Sequence, residues 1–135
     1  MATKFIVDTH ALIWYLESSP RLGAAAKTVL GDPASHLVLP LIALAEAVDI
    51  VDKRRTKIAS VSDLLSDVAN DSRIELQPFS LGILQASLQA RAVPEMHDRL
   101  IVATGLLLQQ QGERVVILTK DGSITTAALL PVIWH

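Results

Sequence analysis

The sequence predicts an α/β protein, three-layer α/β/α with a mainly parallel central sheet, and three observations carry that prediction. The short apolar runs Phe5-Ile6-Val7, Leu37-Val38-Leu39 and Val115-Val116-Ile117-Leu118 have the length and composition of strands buried on both faces. Between them lie segments long enough for helices, so strands and helices alternate as in βαβ units. Two of the runs lead into carboxylates, Asp8 directly after Val7 and Asp121 after Leu118-Thr119-Lys120. Ligands of open α/β sheets bind outside the carboxyl ends of the strands, so Asp8 and Asp121 are expected to share one crevice.

The elements follow in order. Lys4 to Asp8 is the first strand, and a helix from Ala11 to Glu17 follows, with Thr9 placed to cap it and Ser18-Ser19-Pro20 to stop it. Gly23 to Leu30 is a second helix, and Gly31-Asp32-Pro33 is turn chemistry. His36 to Leu39 is a short buried strand before a helix over Leu41 to Asp52. A helix at Val61 to Ala69, a strand at Ile74 to Gln77 and a helix at Leu81 to Ala90 come next. Asp98 to Gln111 carries Leu100, Ile101, Ala103, Thr104, Leu107 and Leu108 as a helical stripe, with Gly112 where a C-terminal glycine belongs. Strand Val115 to Leu118, a short helix at Ile124 to Leu129 and a last strand at Val132 to Trp134 complete the chain.

With 135 residues, one domain spanning residues 1–135 suffices, and no repeat, linker or low-complexity tract divides it. Half the residues are apolar and the mean hydropathy is +0.40, yet aromatics number only two Trp, one Tyr and two Phe, so the core must be built from Leu, Val, Ile and Ala. The apolar surplus points to a buried subunit contact, and a homodimer is the commonest closed arrangement. The longest uncharged apolar stretch, Leu37 to Ala45, contains Pro40 and is far short of the ~20 residues that span a bilayer. Lys4 to Val7 is too brief for a secretory leader, so no membrane contact and a cytoplasmic location are expected. The absence of cysteine excludes disulfides, thiolate metal sites and a thiol nucleophile. With 12 basic and 14 acidic residues the net charge is −2, so any attraction for nucleic acid must be local.

Four acids carry the functional reading. Glu46 is the only charge between Leu41 and Val48, and an unpaired buried carboxylate costs several kcal/mol or shifts its pKa upward. Each acid alone has an ordinary explanation: Glu46 as an exposed helix position, Asp8 and Asp121 as turn residues, Asp98 as first-turn charge that complements a helix dipole. As a set they suggest a metal site. Hard divalent ions such as Mg²⁺ and Mn²⁺ prefer oxygen ligands, and a carboxylate cluster is the usual means of binding them.

Taken together, Asp8-Thr9-His10-Ala11-Leu12-Ile13-Trp14, Glu46 in a helix after the second strand, His97-Asp98-Arg99-Leu100-Ile101-Val102-Ala103-Thr104 and Thr119-Lys120-Asp121 resemble a PIN domain of the short bacterial and archaeal VapC type, over nearly the whole chain. The resemblance implies a metal-dependent endoribonuclease, the toxin of a type II toxin–antitoxin pair, with RNA as substrate and a small cognate antitoxin as partner. Asp8, Glu46, Asp98 and Asp121 match the family's metal-binding and catalytic acids, for one or two Mg²⁺ or Mn²⁺ ions, and Thr119 matches a supporting hydroxyl residue. Two positions depart from the pattern: Gly105 stands where that helix usually has Ala, and Asp52 to Lys57 lacks a glycine often found there.

Lys53, Arg54, Arg55 and Lys57 are candidates for RNA phosphates, as is Arg99 beside Asp98, although each also suits a solvated helix end or a carboxylate partner. His97 and His10 are candidate proton carriers. Trp14 and Trp134 lie in aliphatic runs and read as packing residues rather than base-stacking platforms. A receiver-type phosphoacceptor does not fit, because Asp8 stands alone at its strand end and Leu37 to Leu39 leads into Pro40. A haloacid-dehalogenase pattern fails because His10 occupies the position of its second aspartate. The alternative from another class is a non-catalytic PIN-fold module that binds RNA or protein.

Overall fold

A computed structural model describes residues 2–135 and contains one five-stranded sheet in which every pairing is parallel. The strands are β1 (Thr3–Val7), β2 (His36–Pro40), β3 (Ile74–Gln77), β4 (Arg114–Leu118) and β5 (Val132–Ile133), in spatial order β3-β2-β1-β4-β5. They are connected by α1 (Thr9–Leu16), α2 (Ala24–Gly31), α3 (Leu41–Asp52), α4 (Val61–Asn70), α5 (Leu81–Ser87), α6 (Met96–Gln110) and α7 (Gly122–Ala127). Ile6 pairs with Val38 and Ile117 on one face of the sheet, while Val7 pairs with Leu118 on the other. All five side chains are at most 2% exposed. A sheet buried on both faces needs helices on both, which is the three-layer arrangement the apolar runs predicted.

The strand order decides where a site can form. The chain winds outward from β1 through β2 to β3, then crosses back to lay β4 and β5 on the opposite side of β1. That reversal opens a crevice between the carboxyl ends of β1 and β4. Register aligns the two ends: Val7 lies opposite Leu118, and the Asp8 amide donates to the Leu118 carbonyl at 3.2 Å. Asp8 and Thr119, the residues that leave the two strands, therefore start side by side.

Two glycines set close approaches. A Cβ at Gly105 would lie 2.5 Å from Leu130 Cδ1 and 3.3 Å from both Ile6 Cγ1 and Val115 Cγ1, so α6 rides directly on β1 and β4. This explains the glycine where the family pattern has alanine. At Gly23, which caps α2, a Cβ would stand 1.9 Å from the Trp134 carbonyl oxygen, and the Ala26 amide donates to that same oxygen at 3.2 Å. After Glu46's helix, Arg54 takes φ 55°, the left-handed conformation for which glycine is the strain-free choice.

Several helix ends differ from the sequence expectation, and each for a local reason. The N-cap of α1 is Asp8 rather than Thr9: Asp8 Oδ1 accepts from the Thr9 amide at 2.7 Å, and the helix begins at Thr9 instead of Ala11. α6 starts at Met96, two residues before Asp98, because Glu95 caps it and accepts from the Asp98 amide at 2.8 Å. α7 spans Gly122–Ala127 because Asp121 Oδ1 takes the Ser123 and Ile124 amides. α5 stops at Ser87, where i→i+3 turns at Gln89 and Ala90 replace the helical pattern.

Gly23→Ala must displace the C-terminal segment and is expected to cost about 1–3 kcal/mol. Gly31→Ala, which meets nothing within 4 Å, is expected to leave stability unchanged or slightly higher. Urea unfolding of the two variants checks this contrast, and a Gly23→Ala midpoint equal to wild type would contradict the docking of Trp134 on α2.

Candidate functional site

A cleft of about 460 Å³ lies over the carboxyl ends of β1 and β4, and all four predicted acids, Asp8, Glu46, Asp98 and Asp121, line it. Glu95, His10, Trp14 and Lys120 are also on its wall. The local structure explains how the acids reach it. Asp8 and Asp121 are the N-caps of α1 and α7, and Asp98 is in the first turn of α6, so three of the four sit at helix starts where backbone dipoles favour negative charge. Glu46 projects from α3, which packs against α1 and α6.

Hydroxyl groups hold these carboxylates in place. Thr119 Oγ1 donates to Asp8 Oδ2 at 2.5 Å and accepts from the Asp121 amide at 3.0 Å, linking the two strand-end acids. Thr9 Oγ1 donates to Glu46 Oε1 at 3.2 Å, so the residue read as a cap instead orients the helix carboxylate. Asp121 Oδ1 also accepts from Ser123 Oγ at 2.5 Å.

Crowding separates the proton affinities. Burial is the main cause that raises Asp98, reinforced by a hydrogen bond to Asp121 and by repulsion from Asp121 and Asp8, and its pKa is pushed up to about 7. Burial acts the same way on Asp121, but bonds from Ser123, Ile124 and Asp98 outweigh it and hold Asp121 below the usual value. Asp98 therefore keeps its proton to a higher pH than Asp121 does. Asp8, only 7% exposed, is raised by burial despite its bonds from Thr119 and Thr9. Glu46 is raised by burial as well, against the opposing pull of His97 and Thr9.

Glu95 escaped the sequence reading. Burial pushes it up, but amide bonds from Asp98 and His97 and contact with the His97 ring, whose Nδ1 lies 2.9 Å away, bring it below its ordinary range. The same contact raises His97. The available signal was its place three residues before Asp98, a capping separation.

The basic candidates lie elsewhere. Lys53, Arg54, Arg55, Lys57 and Arg99 do not line the cleft. Lys53 pairs with Asp49 at 2.8 Å, and Arg99 donates to the Val93 and Pro94 carbonyls at 3.0 and 2.9 Å, fastening the loop before α6. Trp14 and Trp134 pack together with ring centroids 5.9 Å apart, as packing residues should, although Trp14 also shows a surface to the cleft.

An all-oxygen acidic donor set suits a hard divalent cation. Among the described residues no group of three or more His, Cys, Asp or Glu side chains is placed to hold a metal ion as the side chains stand. No helix among the described residues is long and apolar enough to cross a membrane.

A family profile described as "PIN domain" matches residues 5–128. No curated protein sequence matches the chain. Among solved structures, VapBC2 from Rickettsia felis bound to a promoter DNA fragment is similar at TM-score 0.72 and 17% identity, over 98% of this chain and 99% of that one. A toxin–antitoxin complex from Klebsiella pneumoniae is similar at TM-score 0.65 and 21% identity, over 98% and 96%. DNA-bound VapBC from Salmonella typhimurium reaches TM-score 0.65 at 13% identity, over 98% of both chains.

Between the unfolded carboxylate value of 3.8 and about 7, the folded protein keeps a proton on Asp98 that the unfolded chain has released. Stability in EDTA must then fall as pH rises through that window, and the raised values of Asp8 and Glu46 act in the same direction. Melting curves at about pH 5.5 and about pH 8 should show the higher midpoint at the lower pH, with a smaller difference in Asp98→Asn. An equal pH difference in wild type and Asp98→Asn would mean that Asp98 is not the group that holds the proton.

Proposed function

The chain belongs to the PIN-domain family, and from that premise we propose that it is a metal-dependent endoribonuclease that hydrolyses RNA phosphodiester bonds and serves as the toxin of a type II toxin–antitoxin pair. The observation that carries this reading is the convergence of Asp8, Glu46, Asp98 and Asp121 in one cleft at the reversal of the strand order. These four would hold one or two Mg²⁺ or Mn²⁺ ions. When bound, such an ion supplies Lewis acidity that activates water and offsets the charge that builds on the phosphate.

The chain's own residues do the positioning. Thr119 and Thr9 fix the carboxylates of Asp8 and Glu46 before any ligand arrives, so little ordering is left to be done on binding. Asp98, whose carboxyl is pushed up to about 7 in the ion-free cleft, would give up that proton when the ion it helps to hold binds. The similarity to toxin–antitoxin complexes supports a small antitoxin as partner. A homodimer belongs to the same reading: Leu81, Leu84 and Leu88 are 69%, 47% and 56% exposed at i, i+3 and i+7 along α5 and the turn after it, an apolar stripe of the kind that subunits cover.

Purified protein freed of partner should cut RNA with Mg²⁺ or Mn²⁺ and stop in EDTA, and Asp8→Asn or Asp98→Asn should lower the rate by about 100-fold or more. Wild-type cleavage by both variants would refute the site, while folded protein that binds RNA without cutting it would favour the non-catalytic module. Induced expression should arrest bacterial growth, and Glu46→Gln should relieve the arrest without loss of folded protein. Sedimentation should show a dimer at micromolar concentration, with Leu84→Asp shifting it toward monomer.

A further inference from the structure

We infer that Lys120, propped over the indole of Trp14 at the rim of the acidic cleft, is the group that binds a backbone phosphate of the substrate strand. This rests on the nuclease reading and adds an anion subsite to it. Lys120 is the only Lys or Arg among the described residues on a wall that also carries five carboxylates. A lysine in such company would ordinarily pair with one of them, yet it makes no ion pair with any described residue. Its ammonium instead lies 5.3 Å from the centroid of the Trp14 ring, within cation–π range. Its three N–H donors remain available to an anion, whereas the acids beside it would repel a phosphate.

The support beneath it is fixed. Trp14 is 9% exposed and wedged between His10, at 5.2 Å, and Trp134, at 5.9 Å. The backbone on either side of Lys120 is tied down, with Thr119 bonded to Asp8 and Asp121 capping α7. With Lys120 over its face and two rings against it, Trp14 is poorly placed to stack on a base. The geometry favours a phosphate contact, which carries no sequence information, over base readout.

The test is equilibrium binding of a fluorescent single-stranded oligoribonucleotide in Mg²⁺, with an Asp98→Asn parent to keep the RNA intact. Adding Lys120→Gln should weaken binding several-fold, equally for different sequences, and lower the salt slope by about 1. Lys120→Arg should restore most of the affinity. In the otherwise wild-type chain, Lys120→Gln should keep the Mn²⁺-induced rise in melting temperature, so that lost RNA affinity is not lost metal binding. Unchanged affinity and salt slope in Lys120→Gln would overturn the subsite while leaving the nuclease reading intact. A loss that varies with base identity, or loss of the Mn²⁺ effect, would also overturn it. Failure of the wild-type chain to cut RNA with Mg²⁺ or Mn²⁺ would remove the nuclease reading and the subsite together.

Discussion

Like charges brought together in a partly desolvated space cannot all stay ionised without a counter-charge, and this constraint organises the molecule. Asp8, Glu46, Glu95, Asp98 and Asp121 share one cleft, and the fold meets their repulsion with the cheapest positive groups it has, the unpaired amides at helix starts. Asp8, Glu95 and Asp121 each cap a helix, and Asp98 sits in the turn that Glu95 caps. Two threonine hydroxyls take up further lone pairs. What these devices leave uncompensated emerges as the proton on Asp98. In the proposed function a divalent ion takes that proton's place.

The rest of the structure serves to keep these groups within reach of one another. Parallel pairing brings the carboxyl ends of β1 and β4 level, and the reversal of strand order leaves the space above them open. Asp98 comes from a different layer, so its distance from Asp8 depends on how closely α6 lies on the sheet. Gly105 keeps that approach close, since a Cβ there would meet the Leu130, Ile6 and Val115 side chains. A bulkier residue there must displace those side chains or shift α6.

How far the sequence reveals this depends on the range of each interaction. The strands and the α/β layering were legible because burial on both faces leaves unbroken apolar runs such as Val115 to Leu118. Asp8 and Asp121 were legible because they follow such runs, and Glu46 because it interrupts one. Glu95 was not, since an exposed acid before a helix has many ordinary uses and only the folded cleft shows what it faces. Thr9 was read as a cap from its position, but the adjacent carboxylate of Asp8 is the stronger acceptor and leaves the hydroxyl free to turn toward Glu46, far away in sequence. The pairing of Lys120 with Trp14 likewise spans the whole domain, and no local pattern announces it. Arg99 is the converse case: its place beside Asp98 suggested a phosphate contact, and the chain spends its guanidinium on two loop carbonyls.

Proton release on metal binding tests the central constraint most directly. Titrating Mn²⁺ into the protein at about pH 6.5, by calorimetry in buffers of different ionisation enthalpy, counts the protons displaced as the ion binds. With Asp98 holding a proton up to about pH 7, binding should release most of one proton per site, and Asp98→Asn should sharply reduce that release. Tight Mn²⁺ binding with no proton released by wild type, or the same release from Asp98→Asn, would contradict the picture of a cleft whose unbalanced charge is stored on Asp98.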